Sequence, residues 1–190
     1  MGAPRSPQEN DRERELVRRV AAHDRAAFEE LYGVYHRRLV RFLGRVTQRE
    51  DVVEEVVNDT LWVVWQKAGN FRGSSLVSTW IMGIAYRCTL KSLRKHGDEA
   101  ELLSDQHPDE RVDASNRAQE QREWVARGMA HLPVEQRTTL ELAYYLGHSC
   151  EEIGQIMDCP VSTVKARMFH ARVKLRSLLP RIGGAEEARR

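Results

Sequence analysis

A chain of 190 residues, 41% of them hydrophobic, is long enough for one ordinary domain or two small ones with packed cores. Its 30 Lys and Arg against 28 Asp and Glu leave a formal charge of +2, so bulk charge carries no binding role and any nucleic-acid contact must rest on local segregation. No apolar run approaches the ~20 residues of a membrane span, and Cys88, Cys150 and Cys159, an odd set behind an N-terminus without a signal-peptide core (MGAPRSPQENDRERE), point to a reducing, cytoplasmic compartment.

Residues 1–15 read as a flexible polar tail running into the first helix. From there apolar residues recur at helical spacing, as in Phe28, Leu31, Tyr32, Tyr35, Leu39, Phe42, Leu43 and Val46, and no run alternates as a strand does. The fold is expected to be all-α, with helices near 10–22, 25–46, 49–68, 76–96, 117–131, 134–146, 150–157 and 161–179. Start signals are Asp24, a capping-box pattern of Thr47 with Glu50, and a second of Ser149 with Glu152.

In the third helix, REDVVEEVVNDTLWVVWQK, residues Asp51, Glu55 and Asp59 are spaced by four and share one face, with Glu54 and Asn58 beside them. Stacked like charges repel by a few tenths of a kcal/mol per pair, a strain that a basic partner would relieve. A metal site on this face lacks a second ligand-bearing helix, so no metal is expected. Next comes NFRGSSLVSTWIMGIAYRCTLKSLRKH, a turn at Gly73 followed by a helix with Trp80, Tyr86, Arg87, Lys91, Arg94 and Lys95. Aromatics interleaved with cations suit single-stranded nucleic acid, because any base can stack and cations follow phosphates. Trp80, Ile81, Ile84, Ala85 and Cys88 also form a core stripe, which would set Trp80 beneath a rim of Phe71, Arg72 and the serines.

The segment GDEAELLSDQHPDERVDA, residues 97–114, holds seven acids against one Arg and few large apolar groups. It is expected to be a flexible acidic linker, here bounded at 97–116, between two small helical domains. Beyond it, SCEEIGQIMDCPVSTVKARMFHARVKLRSLL breaks at Asp158-Cys159-Pro160 into a helix-turn-helix outline. Ile153 and Ile156 on the first helix, with Val164, Phe169 or Met168, Val173 and Leu175 on the second, are expected to pack inward. The stretch 160–176 carries six basic or His residues and no acid. Ser162, Thr163, Lys165, Ala166 and Arg167 stand at the end of the helix that would enter a major groove, while Lys174 and Arg176 lie further out, toward backbone.

In this order and spacing, AFEELYGVYHRRLVRFL, DVVEEVVNDTLWVVW, NFRGSSLVSTWIMGIAYR and HLPVEQRTTLELAYYLGHSCEEIGQIMDCPVSTVKARMFHARVKLR resemble the extracytoplasmic function (ECF) sigma factors, short members of the sigma-70 family that keep regions 2 and 4. The resemblance implies region 2 over 16–96, region 4 over 117–180 and a C-terminal tail over 181–190. It implies a non-enzymatic, cofactor-free bacterial subunit that binds core RNA polymerase at the clamp helices of the largest subunit and the flap region, and directs it to promoter DNA. By resemblance, Asp51, Glu54, Glu55, Asn58, Asp59 and Trp62 dock core polymerase. Asn70, Phe71, Arg72, Ser74, Ser75, Thr79, Trp80, Arg87 and Lys91 take the −10 element, and Ser162, Thr163, Lys165, Ala166, Arg167, Phe169, His170, Arg172 and Lys174 take the −35 element. An anti-sigma factor, membrane-bound in many relatives, is a further implied partner, with no membrane insertion by the chain itself. Ala166 and His170 stand where many relatives carry Ser and Arg, so the −35 bases do not transfer, and the varied turn at 74–78 leaves the −10 preference open. A stand-alone helix-turn-helix regulator accounts for the second domain but gives no reason for the acidic face or the aromatic-basic helix. An enzyme lacks a CxxC pair, a Gly-rich phosphate loop and an acid–base pair on a known scaffold.

Overall fold

The computed structural model describes residues 7–47, 49–95 and 117–187, and every regular element among them is helical. Helix α1 spans Pro7–Ala21, so residues 7–15, expected within a tail, form its first turns. They are held there by tertiary contacts: buried Glu13 accepts hydrogen bonds from Tyr35 Oη at 2.7 Å and Arg38 Nη1 at 2.9 Å, and Arg12 pairs with Glu30. A buried carboxylate is tolerated because donors from the next helix replace its water.

Helix α2 (Arg25–Val46) starts where Asp24 accepts from the Ala27 amide at 3.1 Å, and buries Ala27, Leu31, Tyr35, Leu39, Phe42, Leu43 and Val46 along one stripe. Helix α3 (Glu50–Lys67) lacks the expected capping box. Its N-cap is Arg49, whose side chain makes no capping bond, because Thr47 closes α2 by donating its amide to Leu43 O, while its Oγ1 accepts from the Arg49 amide. A short 3-10 turn, Ala68–Asn70, leads through Gly73 (φ +70°) into α4, Val77–Lys95. Val77 to Tyr86 of α4 is buried apart from half-buried Trp80. A helix covered nearly all round needs cover on more than one side, and α4 lies between α3 and a helix of the second half.

That second half comprises α5 (Arg117–Ala130), α6 (Val134–Leu140) continuing as one π turn (Glu141–Tyr145), α7 (Cys150–Met157) and α8 (Val161–Glu187). Ser149 caps α7 with Glu152 in the reciprocal box that the sequence predicts. Asp158 at φ +51° then reverses the chain, and the Cys159 amide donates to Gly154 O at 3.0 Å. The turn is so tight that a Cβ on Gly154 would lie 2.8 Å from Cys159 O. Helix α8 runs through Pro180 to Glu187, eight residues past its expected end. Beside that point the Trp124 indole of α5 donates to Leu179 O at 3.0 Å. The C-terminal tail expected over 181–190 is therefore helical as far as Glu187. The linker expected over 97–116 lies outside the described residues. The two halves share one continuous apolar cluster, in which Ile84 and Tyr86 of α4 join Ile153, Ile156 and Met157 of α7. No helix among the described residues is long and apolar enough to cross a membrane.

Candidate partner and nucleic-acid surfaces

On α3, Val52, Val53, Val56, Val57, Leu61 and Val64 face the core, which turns Asp51, Glu54, Asn58, Asp59 and Trp62 to solvent; Trp62 is 59% exposed. The acidic face is partly neutralised from within the chain. Asp51 pairs with Arg49 at 2.5 Å, and this hydrogen bond holds its carboxyl below the usual range. Half-buried Glu55 accepts from Lys95 Nζ of α4 at 3.0 Å and from Ser92 Oγ at 3.3 Å. Glu55 is thus a tie between α3 and α4 rather than an uncompensated charge, a role that needs α4 in place and so cannot be read from α3 alone. Beside the face runs a cleft of about 730 Å³ between α2 and α3, lined by Tyr32, His36 and Val40 on one wall and Glu50, Val53, Glu54 and Asn58 on the other. Tyr32, expected in the core stripe, is exposed and stacks on His36 with centroids 5.2 Å apart. Its spacing to His36 and Val40, four and eight residues, is the signal that this second face existed.

The turn before α4 presents Asn70, Arg72 and Ser74 to solvent, with Phe71 and Ser75 half-buried. Phe71 and Trp80 pack ring to ring at 5.2 Å, so Trp80 backs the aromatic rim as the sequence suggests. Arg14 of α1 donates to Gly73 O at 3.2 Å and pins the turn, a contact with no local sequence signal. Arg87 and Lys91 are exposed further along α4. Thr79 is the exception among the candidate −10 residues. It is 3% exposed and therefore closed to any ligand in this conformation. It shares a face with Gly83 and Tyr86 by helical spacing, and burial pushes the Tyr86 hydroxyl up to about 12 despite the nearby Arg167 charge.

On α8, Val164 and Ala171 are buried and Met168 half-buried, so the inward stripe takes Met168 and leaves Phe169 58% and Val173 53% exposed. The expected inward placement of Val173 is wrong for this reason. Ser162, Lys165, Ala166, His170, Arg172 and Arg176 are exposed, Thr163 and Lys174 half-buried. The His170 ring meets Phe169 edge to face at 5.5 Å. Arg167 is half-buried and its Nη1 lies 3.5 Å from Cys159 Sγ in the turn, so its guanidinium is held back toward the seam between the halves. Among the described residues no three His, Cys, Asp or Glu converge as metal ligands would.

Residues 31–99 match the family model of sigma-70 region 2, and residues 122–175 match that of sigma-70 region 4. The chain is 32% identical over 174 residues to the ECF RNA polymerase sigma factor SigK of Mycobacterium tuberculosis, covering 86% of this chain and 91% of that one. It is 29% identical over 175 residues to the RNA polymerase sigma-H factor of Pseudomonas aeruginosa, covering 85% and 91%. The chain belongs to the ECF sigma factors of the sigma-70 family. The fold agrees with two solved structures, CnrH in complex with the cytosolic domain of CnrY (TM-score 0.66, 21% identity, 89% and 97% covered) and the sigma factor RpoE in complex with the anti-sigma factor NepR from Bartonella quintana (TM-score 0.63, 24% identity, 80% and 96% covered). As a sigma factor it is an initiation subunit of RNA polymerase, which sets aside the stand-alone regulator, whose first half would have no reason to match region 2. This sigma factor's α1 and the first turns of α2 precede the matched region 2, yet α1 supplies Arg14 to the candidate −10 turn.

Proposed function

We propose that the three surfaces divide the work of initiation: α3 and the α2–α3 cleft dock core polymerase, the turn at 70–75 with α4 takes the −10 element, and the N-terminal half of α8 reads the −35 element. The observation that carries this is the facing of α8. Its apolar stripe closes on the domain while Ser162, Lys165, Ala166, His170 and Arg172 stand in solvent on the second helix of a helix-turn-helix, where side chains meet base edges. Core docking is supported by exposed Trp62 beside Glu54, Asn58 and Asp59, an aromatic anchor in an acidic rim suited to a basic helical partner. For the −10 element, the Phe71–Trp80 pair offers a stacking platform, and Asn70, Arg72 and Ser74 offer polar contacts to a base taken out of the duplex. None of these steps calls for a metal, a cofactor or catalysis by the chain; binding and charge suffice.

The protein would act in the cytoplasm, where core polymerase is, and an anti-sigma factor would hold it by covering exposed Trp62, Phe169 or Val173. Transcription by core polymerase from a randomised promoter library, with and without the chain, tests the reading. A consensus with two separated elements that appears only when the chain is added is the expected result; no enrichment over core alone sinks it.

A further inference from the structure

Helix α1 lies against the turn that leads into α4. Its stripe of Glu13, Leu16, Val17 and Val20 is buried, and it packs on the 3-10 turn Ala68–Asn70 as well as on α2 and α4. Three of its arginines are matched to carboxylates: Arg12 to Glu30, Arg18 to Glu15 at 2.6 Å and Arg19 to Asp24 at 2.6 Å. Arg14 has no acid partner among the described residues. Its Nη2 donates instead to Gly73 O at 3.2 Å, across 59 residues of chain.

Gly73, at φ +70°, is where this turn reverses. A peptide unit is planar and trans, so a Gly73 carbonyl drawn toward α1 points the Ser74 amide the opposite way. That amide donates to no backbone group among the described residues, and the Arg72 and Ser74 side chains on either side are exposed. A guanidinium is a charged donor, and its planar fork fixes direction as well as distance. Because this bond lies at the surface it adds little to the stability of the fold. What it sets is the orientation of one peptide plane.

We propose that Arg14 is a positioning residue for −10 recognition, holding the Gly73–Ser74 peptide so that Arg72, Ser74 and the Ser74 amide meet the extruded base in one arrangement. The proposal rests on the assignment of the turn at 70–75 to the −10 element. Without Arg14 the peptide has glycine on one side and rotates freely, so the donors of the turn reach the base in a mixture of orientations. The loss falls on base capture and on which bases are accepted, rather than on core docking, whose candidate surface is on α3. Helix α1, which precedes the matched region 2, thereby takes part in promoter choice.

The test uses holoenzyme reconstituted from core polymerase and the full chain carrying Arg14→Ala, Arg14→Lys or Arg18→Ala, on a library of randomised −10 elements and on one promoter in duplex and pre-opened forms. Arg14→Ala is expected to transcribe about three- to tenfold less from duplex, to reorder the −10 sequences, and to recover to within about twofold on the pre-opened template. Arg14→Lys, which keeps a donor for the carbonyl, should restore the parental order. Arg18→Ala removes the same charge from the same helix without touching the turn and should match the parent. Melting temperatures should stay within about 2 °C of the parent. A parental order of −10 sequences in Arg14→Ala overturns the proposal. So does a lower melting temperature with equal losses on both templates, which assigns Arg14 to folding. A uniform loss across all sequences with the salt slope reduced by about one unit also overturns it, because Arg14 would then grip a phosphate. Phe71→Ala, run alongside, separates this proposal from the reading beneath it. If Phe71→Ala impairs −10 use and Arg14→Ala does not, positioning by Arg14 falls and the −10 assignment stands; if neither does, the assignment of the turn falls and the proposal with it.

Discussion

Glu13 shows how a single residue ties the expected tail to the core. Its carboxylate is buried, and Tyr35 and Arg38 both donate to it. Removing one donor leaves part of a buried charge less well solvated, so Tyr35→Phe should lower stability by about 1–3 kcal/mol in urea titration, and an unchanged midpoint would refute this account. Glu141 runs the other way. Burial pushes its carboxyl above the ordinary value of 4.5, with Arg45 and Arg137 only partly offsetting this. An acid whose folded pKa is raised gives stability that is full below 4.5 and lost as pH rises through the raised value. Glu141→Gln should therefore hold or raise the melting temperature at pH 7, with the difference closing toward pH 4.5; a clear loss at pH 7 would mean that the Arg45 pair outweighs burial. At the candidate −10 turn, Phe71→Ala should transcribe poorly from duplex promoter and recover on a template with a pre-opened bubble, because unstacking a base takes a few kcal/mol that the aromatic helps to offset. Equal defects on both templates would assign Phe71 to folding instead. The pairing of Phe71 with Trp80 was legible because both lie within one short segment. The tying of Glu55 to Lys95, forty residues away, was not, since helical spacing describes a face but not what packs against it.

Elements were most legible where local chemistry decides them. Asp24 and Ser149 cap the helices that follow, as their positions demand, whereas Thr47 satisfies the same pattern with Glu50 and is used to end α2. A Thr between two helices can serve either, and only the packing of both chooses. On α8 the inward residue is Met168 rather than Phe169, because the two adjacent side chains are about 100° apart on the helix and periodicity alone accommodates either. The end expected for α8 near residue 179 is one that the structure passes through, Pro180 included, with α5 packed alongside and Trp124 bound to Leu179 O. The helix-turn-helix is also set by one contact that no pattern predicts, the approach of Gly154 to Cys159 O. Any side chain there must move backbone, so Gly154→Ala should destabilise region 4 by about 1–3 kcal/mol and weaken −35 use while the isolated effect on core docking stays small. A variant with parental melting and parental promoter ranking would show that the turn yields freely.

At the scale of the whole molecule the sequence separates two helical halves cleanly and says nothing of how they meet. The face of α4 that packs on α7 carries Thr79, Gly83 and Tyr86, residues equally at home in a core, on a base or against a second domain, so no local signal selects among these. Tertiary packing makes one apolar cluster of both halves, and its strength can be measured with the protein folded first. A protease site introduced between residues 97 and 116 would allow the folded chain to be cut once and its halves weighed against each other. Within one chain the halves would see one another at an effective concentration of order 1 mM, so a dissociation constant of about 10 μM between cut halves corresponds to roughly 100 molecules with the halves packed for each with them apart, about 2.7 kcal/mol. Co-elution of the cut halves at tens of micromolar is expected, with separation in urea. Halves that part with a dissociation constant above about 1 mM would show that the cluster shared by α4 and α7 contributes little to holding them together.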